Sequence, residues 1–154
     1  MTPCLPTVPA PSAGRSRARR RDFRLWFRPV PTPKALEHQP VFSWSISADG
    51  FVFTSGHAAV DVDTLRLAPG PFETELRATL DNLRRTLERA GTSLDHVVKV
   101  TVYLTDMGNY AELNRIYAEY FPSDRPPARS CVEVRRLPYN FSVEIEAVAR
   151  LPGA

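Results

Sequence analysis

The sequence predicts an α+β fold, a mixed β-sheet with two helices on one of its faces. Three observations predict it. Short runs of β-branched and aromatic residues alternate with two stretches of helical periodicity, in the order strand, strand, helix, strand, helix, strand, strand. Each helical stretch is apolar along one side alone, so each needs one sheet face to pack against. The 154 residues, 43% hydrophobic and 24% charged, suffice for one domain with a real core. The second face of such a sheet would be apolar too, and no further helix is available to cover it. A second copy of the chain is the expected cover, so an oligomer is predicted.

The chain divides near residue 38. Residues 1–38 are read as a basic, Pro/Arg-rich arm, and residues 39–154 as the folded domain. Eight of the fifteen prolines precede Val41, and Pro3, Pro6, Pro9 and Pro11 suit neither a helix nor a central strand. Arg15, Arg17, Arg19, Arg20 and Arg21 would repel one another in any compact form. The arm is therefore expected to be extended or disordered. Eight basic residues against Asp22 and Glu37 give it a charge of +6, whereas the remainder carries −3. The basic, aromatic run Phe23–Arg28 offers a surface for nucleic acid or another anionic partner; the acidic balance of the domain argues against such a role there. A twin-arginine export signal is rejected, because Arg28-Pro29-Val30-Pro31 interrupts the apolar segment it requires. No run of about 18 apolar residues exists, so no membrane span is expected. Cys4 and Cys131 form neither a disulfide framework nor a metal motif, and His38, His57 and His96 are scattered singly. Neither a metal nor a cofactor is expected, and the cysteines fit a reducing cytoplasm.

Ordered structure is expected to begin near Val41. Val41–Ser47 and Phe51–Thr54 read as strands joined at Asp49-Gly50, a strong hairpin signal. Ser55-Gly56-His57 follows, where glycine permits a bulge or the close approach of a ligand. The first helix runs from about Phe72 to Ala90, with Phe72, Leu76, Leu80, Leu83 and Leu87 on one face and Gly91 as its stop. Val97–Leu104 reads as a strand with Val98, Val100, Val102 and Leu104 facing one way. The second helix spans about Tyr110 to Tyr120, ended by Pro122, with Tyr110, Leu113, Ile116, Tyr117 and Tyr120 as its core side. Asn114 flanks that stripe, toward solvent or a pocket edge.

The segment Pro127-Ala128-Arg129-Ser130-Cys131-Val132-Glu133-Val134 reads as a strand, on which Arg129 and Cys131 share a face. The last strand, Ser142 to Arg150, has apolar odd positions and includes Glu144 and Glu146 among its even ones. If these two strands form a hairpin with an even-numbered loop, odd positions pair with even ones. Glu144 then lies on the same face as Arg129 and Cys131.

The runs Phe53-Thr54-Ser55-Gly56, Leu80-Asp81-Asn82-Leu83, Val98–Met107, Pro127–Val134 and Val143–Ala147 resemble the RidA/YjgF reactive-intermediate deaminases, from about Val41 to Leu151. The resemblance implies a chorismate-mutase-like fold and a homotrimer with active sites at subunit interfaces. It implies cofactor-free hydrolysis of 2-enamine and 2-imino acids, such as 2-aminoacrylate, to 2-keto acids and ammonia. Arg129 matches the arginine that grips the substrate carboxylate, Cys131 and Glu144 the pair that positions a water, and Glu144 the proton shuttle. Ser55, Gly56 and Asn114 match residues of the substrate pocket. Phe42 stands where the family often has tyrosine, and His57 where it usually has glutamine. Phe42 can still pack a substrate side chain, and His57 is expected beside the pocket rather than in it. Two alternatives stand beside the deaminase: a pathway-specific protein that binds a ligand without hydrolysing it, and RNA binding or cleavage through the arm.

Overall fold

The computed structural model describes residues 28–29, 41–121 and 124–153. The arm is outside that set except for β1, Arg28–Pro29, which pairs antiparallel with β2. Strands β2 (Ser45–Ala48) and β3 (Phe51–Thr54) form the expected hairpin. Its two-residue turn needs positive φ at both positions, and Asp49 (49°) and Gly50 (79°) supply it. The first of these strands begins at Ser45, later than the alternation around Val41 predicts.

Helix α1 spans Phe72–Arg89, with Leu76, Leu80, Leu83 and Leu87 fully buried. Gly91, at φ 85°, takes the left-handed conformation that ends it. Strand β4 (Val97–Leu104) leads to α2 (Tyr110–Tyr117), which returns the chain to β5 (Ala128–Glu133), parallel to β4. Strand β6 (Val143–Arg150) then inserts antiparallel between β3 and β4. The sheet order is β1-β2-β3-β6-β4-β5. Both helices pack on one face, where Val52, Val100, Val102, Leu104, Val143 and Ile145 meet Leu80, Leu83, Leu113 and Ile116. Burying each such side chain stabilises the fold by roughly 2 kcal/mol. Among the described residues no helix is long and apolar enough to cross a membrane.

Three local expectations are corrected. β5 and β6 are not a hairpin, because the α2 crossover lays β5 parallel along β4, and β6 occupies the other edge of β4. Val98 is not a core residue: the register shifts between Val97 and Lys99, so Val97 turns inward while Val98 stays 41% exposed. Helix α2 ends at Tyr117, after which Glu119 and Tyr120 donate to carbonyls three residues back. Pro122, its expected stop, lies outside the described residues.

Candidate active site

Arg129 leaves β5 beside Val100 of β4, on the helix-covered face. There α2 presents Tyr110, Asn114 and Tyr117, spaced four and three residues apart and therefore on one side of the helix. Arg129 Nη2 donates to Asn114 Oδ1 at 2.6 Å and to the Tyr110 hydroxyl at 3.3 Å. Its guanidinium carbon stands 4.6 Å from the centre of the Tyr117 ring and 5.7 Å from that of Tyr110. The Tyr117 ring in turn stacks on Phe121, 4.2 Å away. A cation held flat against aromatic faces is attracted by their quadrupoles and loses little freedom when a ligand arrives. Nε and Nη1 make no hydrogen bond to the described residues. These donors of the planar guanidinium fork are left for an anion entering beside it.

Around this fork lies a cleft of about 690 Å³, lined also by Met107, Pro126, Pro127 and Cys131. Glu133 accepts a hydrogen bond from the Met107 amide at 2.8 Å, which ties the cleft-lining turn after β4 to the end of β5. Burial raises the Cys131 pKa more than the Arg129 charge lowers it, so the thiol stays protonated near neutrality. It is suited to hold a water or pack against one rather than to attack as a thiolate.

A second group forms around Glu144. After β3 the chain runs beside β6, where His57 and Ile145 exchange both backbone hydrogen bonds at 2.8 Å. Gly56 thereby passes under the Glu144 side chain, so closely that a Cβ there would stand 2.1 Å from Oε1. The glycine is required by this approach, not by its φ. Ser55 Oγ donates to the Ser43 carbonyl at 2.7 Å, which fixes the segment just after Phe42. Phe42 is 51% exposed and meets Trp44 edge-on at 5.4 Å. Glu144 is half-buried, and burial followed by the charge of Glu146 raises its pKa. A carboxyl that keeps its proton to higher pH is a better acid near neutrality. Tyr103 donates to Glu146 Oε1 at 3.1 Å and holds that neighbour in place.

The structure thus gathers Arg129, Asn114 and Cys131 into one group, and Ser55, Gly56 and Glu144, with Phe42 nearby, into another. It does not join the two within one chain. Val102 lies opposite both Cys131 and Ile145, whereas Tyr103 lies opposite both Val132 and Glu144. Glu144 and Glu146 therefore occupy the face of the sheet away from Arg129 and Cys131. The expectation of a shared face fails with the hairpin that it assumed. Sequence reasoning also missed Tyr110 and Tyr117, which it assigned to packing. The signal was their spacing with Asn114, four residues after one and three before the other.

The Endoribonuclease L-PSP family model matches residues 32–151. A RutC family protein of Synechocystis sp. is 45% identical over 112 residues, covering 72% of this chain and 86% of that protein. Among solved structures, YyfA of Yersinia pestis, described as a member of the Rid protein family, is 35% identical. It superposes with a TM-score of 0.74 over 81% of this chain and 99% of its own. TdcF of E. coli, solved with bound serine, is 31% identical with a TM-score of 0.70 over 80% and 98%. With this fold and these matches over most of its length, the chain belongs to the Endoribonuclease L-PSP family, the RidA/YjgF group of proteins.

Proposed function

We propose that this protein is a cofactor-independent deaminase that hydrolyses 2-enamine and 2-imino acids to 2-keto acids and ammonia. The observation that carries the reading is Arg129, held against Tyr117, tied to Asn114 through Nη2, and left with its Nε and Nη1 donors for an anion beside a cleft. Such a fork holds a carboxylate in one orientation and so fixes the adjacent C=N carbon. Glu144, its pKa raised, supplies the proton chemistry. An enamine first takes a proton at C3 to become the imine. Water then adds to C2 while the nitrogen is protonated, and the C–N bond of the resulting carbinolamine breaks, releasing ammonia and leaving the 2-keto acid. The serine bound to E. coli TdcF has the same carboxylate-and-nitrogen frame as these substrates.

The reading requires Arg129 and Glu144 to meet, and we place that meeting across a subunit boundary in a homotrimer. Phe53 and Val132 are more than 40% exposed on the sheet face of Glu144, which suits a second copy as its cover. The ribonuclease activity in the family's name is less well supported. Among the described residues Arg129 is the one cation lining the cleft, and the chain from residue 38 onward carries −3.

The test is to generate 2-aminoacrylate in the presence of the protein and follow pyruvate and ammonia. Release faster than in buffer is expected, and release at the buffer rate would refute the reading. Inactive Arg129→Ala and Glu144→Gln proteins, unfolded and refolded together in equal amounts, test the shared site. Random assembly should restore about a quarter of the wild-type activity, since each site draws its halves from two copies.

A further inference from the structure

We propose that His57 is the positioning residue of the Glu144 group: it fastens the Ser55–Gly56 segment to helix α1 and so fixes where the Glu144 carboxyl stands. The inference rests on the deaminase reading for its kinetic consequence, and on geometry alone for the rest.

His57 is 1% exposed, and both of its ring nitrogens are engaged. Nδ1 lies 2.9 Å from the Ser55 carbonyl, which can only accept, so the hydrogen is on Nδ1. Nε2, 2.8 Å from Thr86 Oγ1, therefore accepts from that hydroxyl. One neutral tautomer thus joins a segment of the second group to a buried position on α1. Burial lowers the His57 pKa to about 4, so this donor and acceptor stay unchanged through the neutral range.

Three further contacts make the tie specific to Glu144. The backbone of His57 exchanges both hydrogen bonds with Ile145, the residue next to Glu144. Gly56, its other neighbour, lies against Glu144 Oε1 with no room for a Cβ. Trp44, 5.5 Å from the imidazole, carries Phe42 on its edge. Any drift of residues 55–57 is therefore transmitted to the carboxyl. None of these contacts is made to Arg129, whose hydrogen bonds go to Tyr110 and Asn114 of α2.

The experiment compares wild type with His57→Gln, His57→Leu and Thr86→Val. The Glu144 carboxyl titration is followed by NMR of protein labelled with ¹³C on the glutamate side chains, alongside steady-state kinetics. In wild type the Glu144 midpoint should lie above the ordinary glutamate range. His57→Leu and Thr86→Val should each displace it by at least about half a pH unit. Each should also lower kcat by roughly tenfold to a hundredfold with KM within about twofold, because neither residue contacts Arg129 or the α2 side chains that hold it. His57→Gln, whose amide both donates and accepts, should keep kcat within about threefold of wild type. An unchanged Glu144 midpoint in folded His57→Leu and Thr86→Val proteins would overturn the proposal; so would an effect on KM alone. Should His57→Leu fail to fold, Thr86→Val, which removes one hydroxyl from α1, still decides. If wild type shows no turnover, the deaminase reading fails, and the carboxyl titration still decides the role of His57.

Discussion

The arginine side of the sheet is held by side chains, whereas the glutamate side is held by backbone contacts that one side chain, His57, ties to α1. Arg129 owes its orientation to Asn114, Tyr110 and Tyr117, three side chains on one helix face. Glu144 owes its position to the His57–Ile145 bridge and to the absence of a side chain at Gly56. The first group can be retuned by changing what α2 presents, with the strand left alone. The second is sensitive to any shift of the strand that passes beneath it. Their chemistry differs in the same sense. In the proposed reaction a permanent cation needs only a fixed geometry, whereas a carboxyl assigned to proton transfer needs a controlled environment.

The sharpest way to test the contrast is to neutralise each group in turn. Glu144→Gln should lower kcat by about 10²–10⁴-fold, the usual range for loss of a general acid or base, with little change in KM. Single-turnover kinetics with a generated imino acid would read this, and a KM effect alone would reverse the assigned roles. Arg129→Ala should instead lower kcat/KM by more than about a hundredfold, roughly 3 kcal/mol, through lost carboxylate binding. Arg129→Lys should recover little of it, since an ammonium lacks the planar fork. Calorimetric titration with pyruvate checks this without turnover.

Stability should register the glutamate side through His57. The His57 pKa falls from 6.5 to about 4 on folding, so between those values the unfolded chain binds the extra proton. Stability from this group is complete above pH 6.5 and is lost as pH falls toward 4, by on the order of 3 kcal/mol. Urea titrations across that range should show a flatter pH dependence in His57→Gln. A smaller effect is expected from Gly56→Ala. Its Cβ meets the end of a flexible side chain, so the fold should persist while Glu144 swings aside. Here kcat should fall by roughly tenfold or more, with a thermal midpoint within a few degrees of wild type.

The smallest expected change contrasts two substitutions on the arginine side. Among the described residues the Tyr117 hydroxyl is buried with no hydrogen-bond partner, so Tyr117→Phe removes a polar group that gains no hydrogen bond from them. The variant should be as stable as wild type or up to about 1 kcal/mol more so, with pyruvate affinity unchanged. Tyr117→Leu, which removes the stacked ring, should weaken pyruvate binding a few-fold, about 0.5–1 kcal/mol. Equal affinities in the two variants would show that the ring does not hold the guanidinium.

Much of the fold was legible because local patterns specify it. Asp49-Gly50 fixed the hairpin, the four-and-three spacing of leucines gave α1, and alternation placed Val143, Ile145, Ala147 and Ala149 inside. The bulge at Val98 was not legible, because strand alternation looks the same until a partner strand sets the register. At the candidate site, Arg129 with Cys131 was readable from parity within one strand. Asn114 was readable as a residue flanking an apolar stripe, but the two tyrosines looked like core. An aromatic ring that stacks on a guanidinium carries the same helical spacing as one that packs on leucine.

By itself, then, the sequence determined the elements, the faces that each would bury, and the residue types able to grip an anion and move a proton. These follow from the 3.6 and 2.0 residue periods and from side-chain chemistry, both local to the chain. Tertiary structure alone decided that β6 enters between β3 and β4, and so that Glu144 and Arg129 stand on opposite faces. Strand order is chosen by long-range packing, and residue parity within a strand carries no information about which neighbour that strand will pair with.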